Sequence, residues 1–263
     1  IFMVPAMIMA VLQLPDIEQR DFSRLGQVFY GASPISESLL RRALDVFQCE
    51  FIQMYGMTET TGTVVNLSPD DHRRALAGKP ELLRSCGRPS VGAEAKVMDP
   101  QGREVPHGEI GEICGKSPMM MPGYYKRPDL TETAIVDGWL HSGDMGYVDD
   151  DGFLYLVDRK KDMILTGGMN VSPREVEDVI ADYPAVNLVS VIGVPDEKWG
   201  EAVTAAVVLR ENETAGEQEI IQFCREYQAA YKTPKTIIFL DELPKTGSGK
   251  ITKKALRDPY WKK

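Results

Sequence analysis

The sequence predicts a two-domain chain of mixed α/β and α+β class: the remainder of a large α/β domain bearing a small β-barrel subdomain, then a small α+β domain. Three observations lead there. The 263 residues, 43% hydrophobic and 26% charged, suffice for one large or two ordinary globular domains. Apolar runs of strand length alternate with amphipathic helical stretches. A dense charge run, "DRKKD", separates two different textures.

In chain order, the opening "IFMVPAMIMAVLQLP" is apolar, too short to span a bilayer and interrupted by Pro5, and it has no basic n-region. It reads as a buried helix belonging to a larger domain. "SPISESLLRRALDVF" predicts a helix with Pro34 at its first position and Ile35, Leu39, Leu40, Ala43, Leu44 and Phe47 on one stripe. "EFIQMYG" reads as a strand and "MTETTGT" as the loop after it, a usual place for ligand chemistry. From about residue 84 to 157, short β runs ("EAKVMD", "EIGEICG", "FLYLVD") between turn signals predict the barrel or a sandwich. The expected division is a first domain at 1–157, in which 1–83 are α/β and 84–157 form the β subdomain, then a second domain at 158–263, with a hinge at 158–162. In the second domain "SPREVEDVI" predicts a helix with Ser172 as N-cap, Pro173 first and Glu175 closing a capping box. Strands "LVSVIGV" and "AVTAAVVL", a helix "EQEIIQFCREYQAAY" and a strand "TIIFL" follow.

A net charge of −9 argues against a nucleic-acid or anionic-membrane surface and for a small-molecule partner. Cys49, Cys86, Cys114 and Cys224 form no CxxC pair and, with three histidines, no metal-ligand spacing. They read as reduced thiols, which makes the expected compartment cytoplasmic. No transmembrane segment is expected, and nothing in the sequence sets an oligomeric state.

Near the end, "LPKTGSGKITKK" looks like a phosphate-binding loop but fails the pattern. Pro244 stands five residues before Gly249, where no loop glycine exists, and Ile251 follows Lys250 where a hydroxyl is required. A lysine visiting a site built elsewhere remains open. Thr58 and Glu59 place a hydroxyl and a carboxylate side by side, suited to phosphate and Mg²⁺ or simply to a solvated turn. Asp144, after Gly143, suits ribose hydroxyls or a turn. Arg159 and Lys161 belong to a hinge that touches phosphate, or to a solvated linker.

Taken together and in order, "YGASP", "YGMTET", "GEICGKSPMMMPGYY", "DGWLHSGDMG", "DRKKDMILTGGMNVSPREVE" and "PKTGSGKITKKALR" resemble the adenylate-forming enzymes: acyl-CoA synthetases, luciferases and the adenylation domains of peptide synthetases. The resemblance implies that Gly31, Ala32 and Ser33 line the adenine pocket and Tyr55 stacks on the base, with Gly56 and Met57 in the same nucleotide loop. It implies Thr58 on phosphate, Glu59 on Mg²⁺, Asp144 on the ribose, Arg159 supporting the nucleotide, Lys161 as hinge and Lys250 as the adenylation lysine. Gly167, Gly168 and Met169 resemble the loop lining the pantetheine channel of CoA, and Tyr30, Gly31 and Met54 fall at the acyl pocket.

Lys161 and "HSGD" are similar to acid:CoA ligases rather than to peptide-synthetase domains. The implied function is an AMP-forming ligase using ATP, Mg²⁺ and CoA, with a medium- or long-chain fatty acid as substrate. An arylalkanoate substrate, or a non-catalytic binding module, stay open. Tyr30 departs from a glycine common in the family, Ser33 from alanine, and "CGKSP" from an Arg-Gly-Pro run. The family's Ser/Thr/Gly-rich loop ending in Pro-Lys has no counterpart here, so the expectation is a C-terminal half that adenylates poorly alone.

Overall fold

A computed structural model describes residues 1–245 and 251–261. It divides into two compact units, Ile1–Leu156 and Val157–Lys263.

The first unit holds two sheets. One runs in the order β1 (Phe2–Met3), β2 (Gln27–Gly31), β3 (Glu50–Met57), β4 (Gly62–Leu67) and β5 (Arg88–Pro89). β1, β2 and β3 are mutually parallel, so each link needs a crossover; α1 (Pro5–Leu12) and α2 (Glu37–Phe47) supply them. β4 returns antiparallel to β3. α3 (Pro69–Leu76) follows β4. Ile8, Leu12, Val28, Leu40, Phe47 and Phe51 form the core between the helices and the sheet.

Within this chain α1 buries Pro5, Ile8 and Leu12 and leaves Met7 and Met9 exposed. Two sequence expectations shift here. α2 begins at Glu37 rather than at Pro34, because the Ser36 hydroxyl accepts the Leu39 N–H and makes Ser36 the cap. β3 continues through Gly56 and Met57, which pair with Thr63 and Gly62, so the "MTETTGT" loop contracts to a single 3₁₀ turn, Thr58–Thr60.

The other sheet contains β6 (Glu94–Met98), β7 (Gly111–Lys116), β8 (Ile135–Val136), β9 (Trp139–Val148) and β10 (Leu154–Arg159) in the order β10-β9-β7-β6, with β8 on β9. α4 (Pro128–Ala134) precedes β8. Val97, Ile113 and Leu154 pack on Val64 and Val65 of β4. A bridge from Gly87 to Leu154 ties β10 to the segment before β5. Asp71 of α3 also pairs with Arg74 and Arg88, at 3.1 and 3.2 Å, and the Arg88 guanidinium lies 4.5 Å above the Phe153 ring.

The second unit is built on β11 (Ile164–Thr166), β12 (Met169–Val171), β13 (Val186–Asp196), β14 (Gly200–Leu209) and β15 (Thr236–Phe239), in the order β12-β11-β14-β13 with β15 parallel to β14. α5 (Pro173–Ala181) and α6 (Glu217–Tyr227) cover it, burying Val176, Ile180, Ile220, Ile221 and Cys224 against Val191, Val203 and Val207. α7 (Lys253–Trp261) ends the described chain. Ser172 caps α5 as expected, but Glu175 does not close the box. Its carboxylate pairs with Lys232 at 2.6 Å, and Asp158 instead accepts the Ser172 hydroxyl and the Arg174 N–H.

Gly167 and Gly168 form the two-residue connection of the β11–β12 hairpin with φ of +56° and +80°, both left-handed as a type I′ turn requires. A Cβ at Gly168 would meet open space, whereas one at Gly167 would lie 2.9 Å from the Trp199 ring. Gly168→Ala is therefore expected to cost about 1–2 kcal/mol and Gly167→Ala about 3 kcal/mol, the latter adding a steric clash to the backbone strain. Urea midpoints at constant m-value check this, and the reverse ranking would contradict it.

Candidate active site

In a parallel sheet, ligand chemistry gathers at the carboxyl ends of the strands. β2 and β3 are parallel neighbours in the register Gln27–Glu50 to Gly31–Met54. Ala32 and Ser33 therefore follow directly from β2, and Thr58 and Glu59 directly from β3, at the same end of the sheet. Gly31 is required by proximity: a Cβ there would fall on the Met54 carbonyl oxygen. Ala32 adopts φ +65°, a left-handed conformation that turns the chain sharply off the strand. Ala32 and Ser33 are exposed and Met54 is half-buried.

The Thr58–Thr60 turn is pinned from inside by Thr60. Its hydroxyl oxygen accepts the Met57 N–H at 3.0 Å and its proton can go to the Gly62 carbonyl at 2.7 Å. Thr58 is left exposed. The Glu59 carboxylate accepts the Tyr124 hydroxyl at 2.8 Å, and the Glu59 carbonyl accepts the Met121 N–H. The hydrogen bond to Glu59 raises the Tyr124 pKa above its ordinary value, since the carboxylate favours the neutral phenol.

Tyr55 and Asp144, 89 residues apart, meet directly: the phenol donates to Oδ2 at 2.9 Å. Burial pushes the Tyr55 phenol well above its ordinary 10.0, and the Asp144 charge pushes it further. Asp144 is nearly buried and stands within β9, where the pairing of that strand with β7 is irregular. Ser142 donates its hydroxyl to the Ile113 carbonyl at 2.6 Å and accepts the Asp144 N–H at 3.0 Å. Glu112 accepts the Gly143 N–H at 3.1 Å and sits 3.2 Å from His141 Nδ1. Gly143, at φ +73°, supplies the left-handed residue at that irregularity.

Tyr30 requires a correction. Its side chain is wholly buried among Phe47 and Phe51, not directed to an acyl pocket. His72 Nδ1 donates to the Ser68 carbonyl at 2.8 Å, which leaves Nε2 to accept the Tyr30 hydroxyl at 2.9 Å. Alternation explains this: Gly31 shows its backbone at the strand end, so Tyr30 points to the opposite face, into the helices.

In the second unit Arg159 and Lys161 are exposed and sit in a tight turn closed by the Asp162 and Met163 N–H groups on the Arg159 carbonyl. Gly167, Gly168 and Met169 lie in the β11–β12 hairpin, with Met169 exposed. Lys250 lies outside the described residues.

The residue-level reading passed over Thr60, Glu112, Ser142 and Tyr124. A carboxylate inside the otherwise apolar strand "GEICG" was the available signal for Glu112. Tyr124 gave none, since its partner is 65 residues away. None of the four cysteines is in a disulfide, and the Cys114 thiol lies 3.5 Å from His141 Nδ1. Among the described residues no cluster of three or more His, Cys, Asp or Glu could hold a metal, and no helix is long and apolar enough to cross a membrane.

The AMP-binding enzyme family matches residues 1–125, and the AMP-binding enzyme C-terminal domain matches residues 175–250. The chain belongs to the AMP-binding enzymes. It is 47% identical to a medium/long-chain-fatty-acid–CoA ligase of Mycobacterium tuberculosis, over 98% of this chain and 46% of that protein. It is 43% identical to a fatty acid–[acyl-carrier-protein] ligase of Streptomyces coeruleorubidus, over 98% and 49%. The solved structure of the amide bond synthetase McbA from Marinactinospora thermotolerans superposes with a TM-score of 0.88 at 34% identity, covering 100% of this chain and 52% of that one. The mixed α/β architecture of this AMP-binding chain is thus shared along nearly its whole length, and the chain spans about half the length of the relatives it matches.

Burial of Tyr30 and Tyr55 has a measurable sign. Their folded-state pKa values are raised, so the folded chain holds protons that the unfolded chain releases above pH 10.0. Stability contributed by these groups is present below pH 10.0 and is lost as pH rises beyond it. Phenolate absorbance should show both tyrosines silent through the ordinary titration, and replacing both with Phe should flatten the alkaline loss of stability. An unchanged alkaline slope would contradict the assignment.

Proposed function

We propose that the full-length protein is an ATP-dependent fatty-acid–CoA ligase. The carboxylate of the acid attacks the α-phosphate of ATP, releasing pyrophosphate and leaving an acyl-adenylate; a thiol then attacks the acyl carbon and AMP departs. The supporting observation is the 47% identity, over 98% of this chain, to a ligase named for medium- and long-chain fatty acids and CoA.

In this reading Ala32 and Ser33 border the adenine, Asp144 accepts from the ribose hydroxyls beside Tyr55, and the exposed Thr58 hydroxyl donates to phosphate. Glu59 holds Mg²⁺. One carboxylate suffices, because Mg²⁺ is commonly bound through one or two carboxylates with phosphate oxygens and water completing its shell. Arg159 supports the nucleotide, Lys161 is the hinge, and Gly167, Gly168 and Met169 line the thiol's approach. Lys250 brings positive charge to two anions, carboxylate and phosphate, whose mutual repulsion dominates the first barrier. The protein works in the cytoplasm.

A second reading concerns the acceptor. The 43% identical relative is named for acyl-carrier protein, and CoA and carrier proteins present the same class of pantetheine thiol.

Lys250→Ala in the full-length protein is expected to lower adenylation by about a thousandfold, a loss of the size seen when a single transition-state charge contact is removed, while largely sparing thioester formation from supplied acyl-adenylate. Pyrophosphate release is measured against a panel of fatty and arylalkanoic acids, with CoA or carrier protein as acceptor. Equal loss of both half-reactions would overturn the role of Lys250, and preference for arylalkanoic acids would overturn the substrate class.

A further inference from the structure

Lys245 and Ile251 form an antiparallel bridge, and the Thr252 N–H donates to the Pro244 carbonyl at 2.9 Å. The two ends of the segment that carries Lys250 therefore lie side by side, and α7 starts two residues later. α7 buries no residue fully, so apolar packing alone is a weak hold on it. Leu256 is its contribution to an apolar cluster with Val208 and Leu243.

Polar lashings take up the task. Lys253 Nζ lies 2.9 Å from Glu177 Oε1, and each side chain is only about one-fifth exposed (20% and 21%). The same Glu177 oxygen, on α5, accepts the Val191 N–H of β13 at 2.7 Å, so one carboxylate joins α5, β13 and α7. Arg257 donates to the Lys161 carbonyl at 2.9 Å, with the Asp162 carboxylate 3.9 Å away. Trp261 Nε1 donates to the Gly193 carbonyl at 3.1 Å. Lys253 lies three residues after Lys250, and Arg257 one helical turn further on.

We propose that Glu177, Lys253 and Arg257 are positioning residues for adenylation: they fix the root of the Lys250 segment and fasten it to the Arg159–Asp162 turn. The inference rests on the reading of Lys250 given above. A charge that must meet two reacting anions gains its effect from placement, and a shift of about 1 Å costs up to about a hundredfold in rate. A half-buried ion pair is suited to such a role. Its geometry is specific, and truncating one partner leaves the other desolvated without its counter-charge, so the pair resists alternative seatings.

Hydrogen exchange on the 263-residue chain tests the lashing, and half-reaction kinetics of the full-length protein test its purpose. Lys253→Met and Arg257→Met should each speed exchange of α7 amides by about tenfold or more, leaving β13 and β14 protected. In the full-length protein they should lower the adenylation kcat by about ten- to a hundredfold with little change in the ATP KM. Thioester formation from supplied acyl-adenylate should be unaffected, and Lys253→Arg should restore most of the loss. Unchanged α7 exchange, or equal loss in both half-reactions, would overturn the proposal. Lys250→Ala serves as the separate control: if it leaves adenylation intact, the reading of Lys250 fails, an outcome that the exchange data do not mimic.

Discussion

The parallel pairing of β2 with β3 is the constraint on which the first unit depends. It aligns two carboxyl ends so that Ala32–Ser33 and Thr58–Glu59 emerge from neighbouring strands at one end of the sheet. Crossover helix α2 is needed to make that pairing, and the stripe of Leu40, Ala43 and Phe47 is needed to hold the helix down. Tyr30 and Phe51 sit in the same core, so packing behind the sheet and the placement of loops in front of it are one problem. The antiparallel return of β4 then converts what would be a long loop into a turn pinned by Thr60.

Asp158 has a comparable place in the second unit. Its carboxylate accepts from Ser172 and Arg174 at the start of α5, where unpaired N–H groups and the helix dipole favour a negative charge. The chain that leaves β10 is thus fastened to α5 just before the Arg159–Asp162 turn, and Arg257 of α7 reaches the backbone of that same turn. A short exposed turn is in this way held from both sides by elements far apart in sequence.

What could be read from the sequence followed the range of the interactions involved. Local patterns gave the amphipathic stripe of α2 and the cap at Ser172. They misplaced the start of α2 because Pro34 and Ser36 are competing signals, and only the hydrogen bond to Leu39 N–H decides between them. They also assigned Glu175 to a capping box when Lys232, 57 residues away, claims its carboxylate. The site was less accessible still. Nothing near Tyr55 announces Asp144, and nothing near Glu59 announces Tyr124; those pairs were reachable only through the resemblance of ordered motifs, if at all. Tyr30 shows the limit of that route, because a motif position carries no information about which face of the strand its side chain takes.

The glycines at 31 and 56 set a limit on substitution. At each, a single added carbon would overlap a neighbouring carbonyl, of Met54 and of Gly62, so neither position can drift without moving the sheet. Proteins similar to this chain carry different names: a CoA ligase, an [acyl-carrier-protein] ligase and an amide bond synthetase. In this chain, then, any substitution that alters the site without moving the sheet must fall on the loops at its end and spare the two glycines.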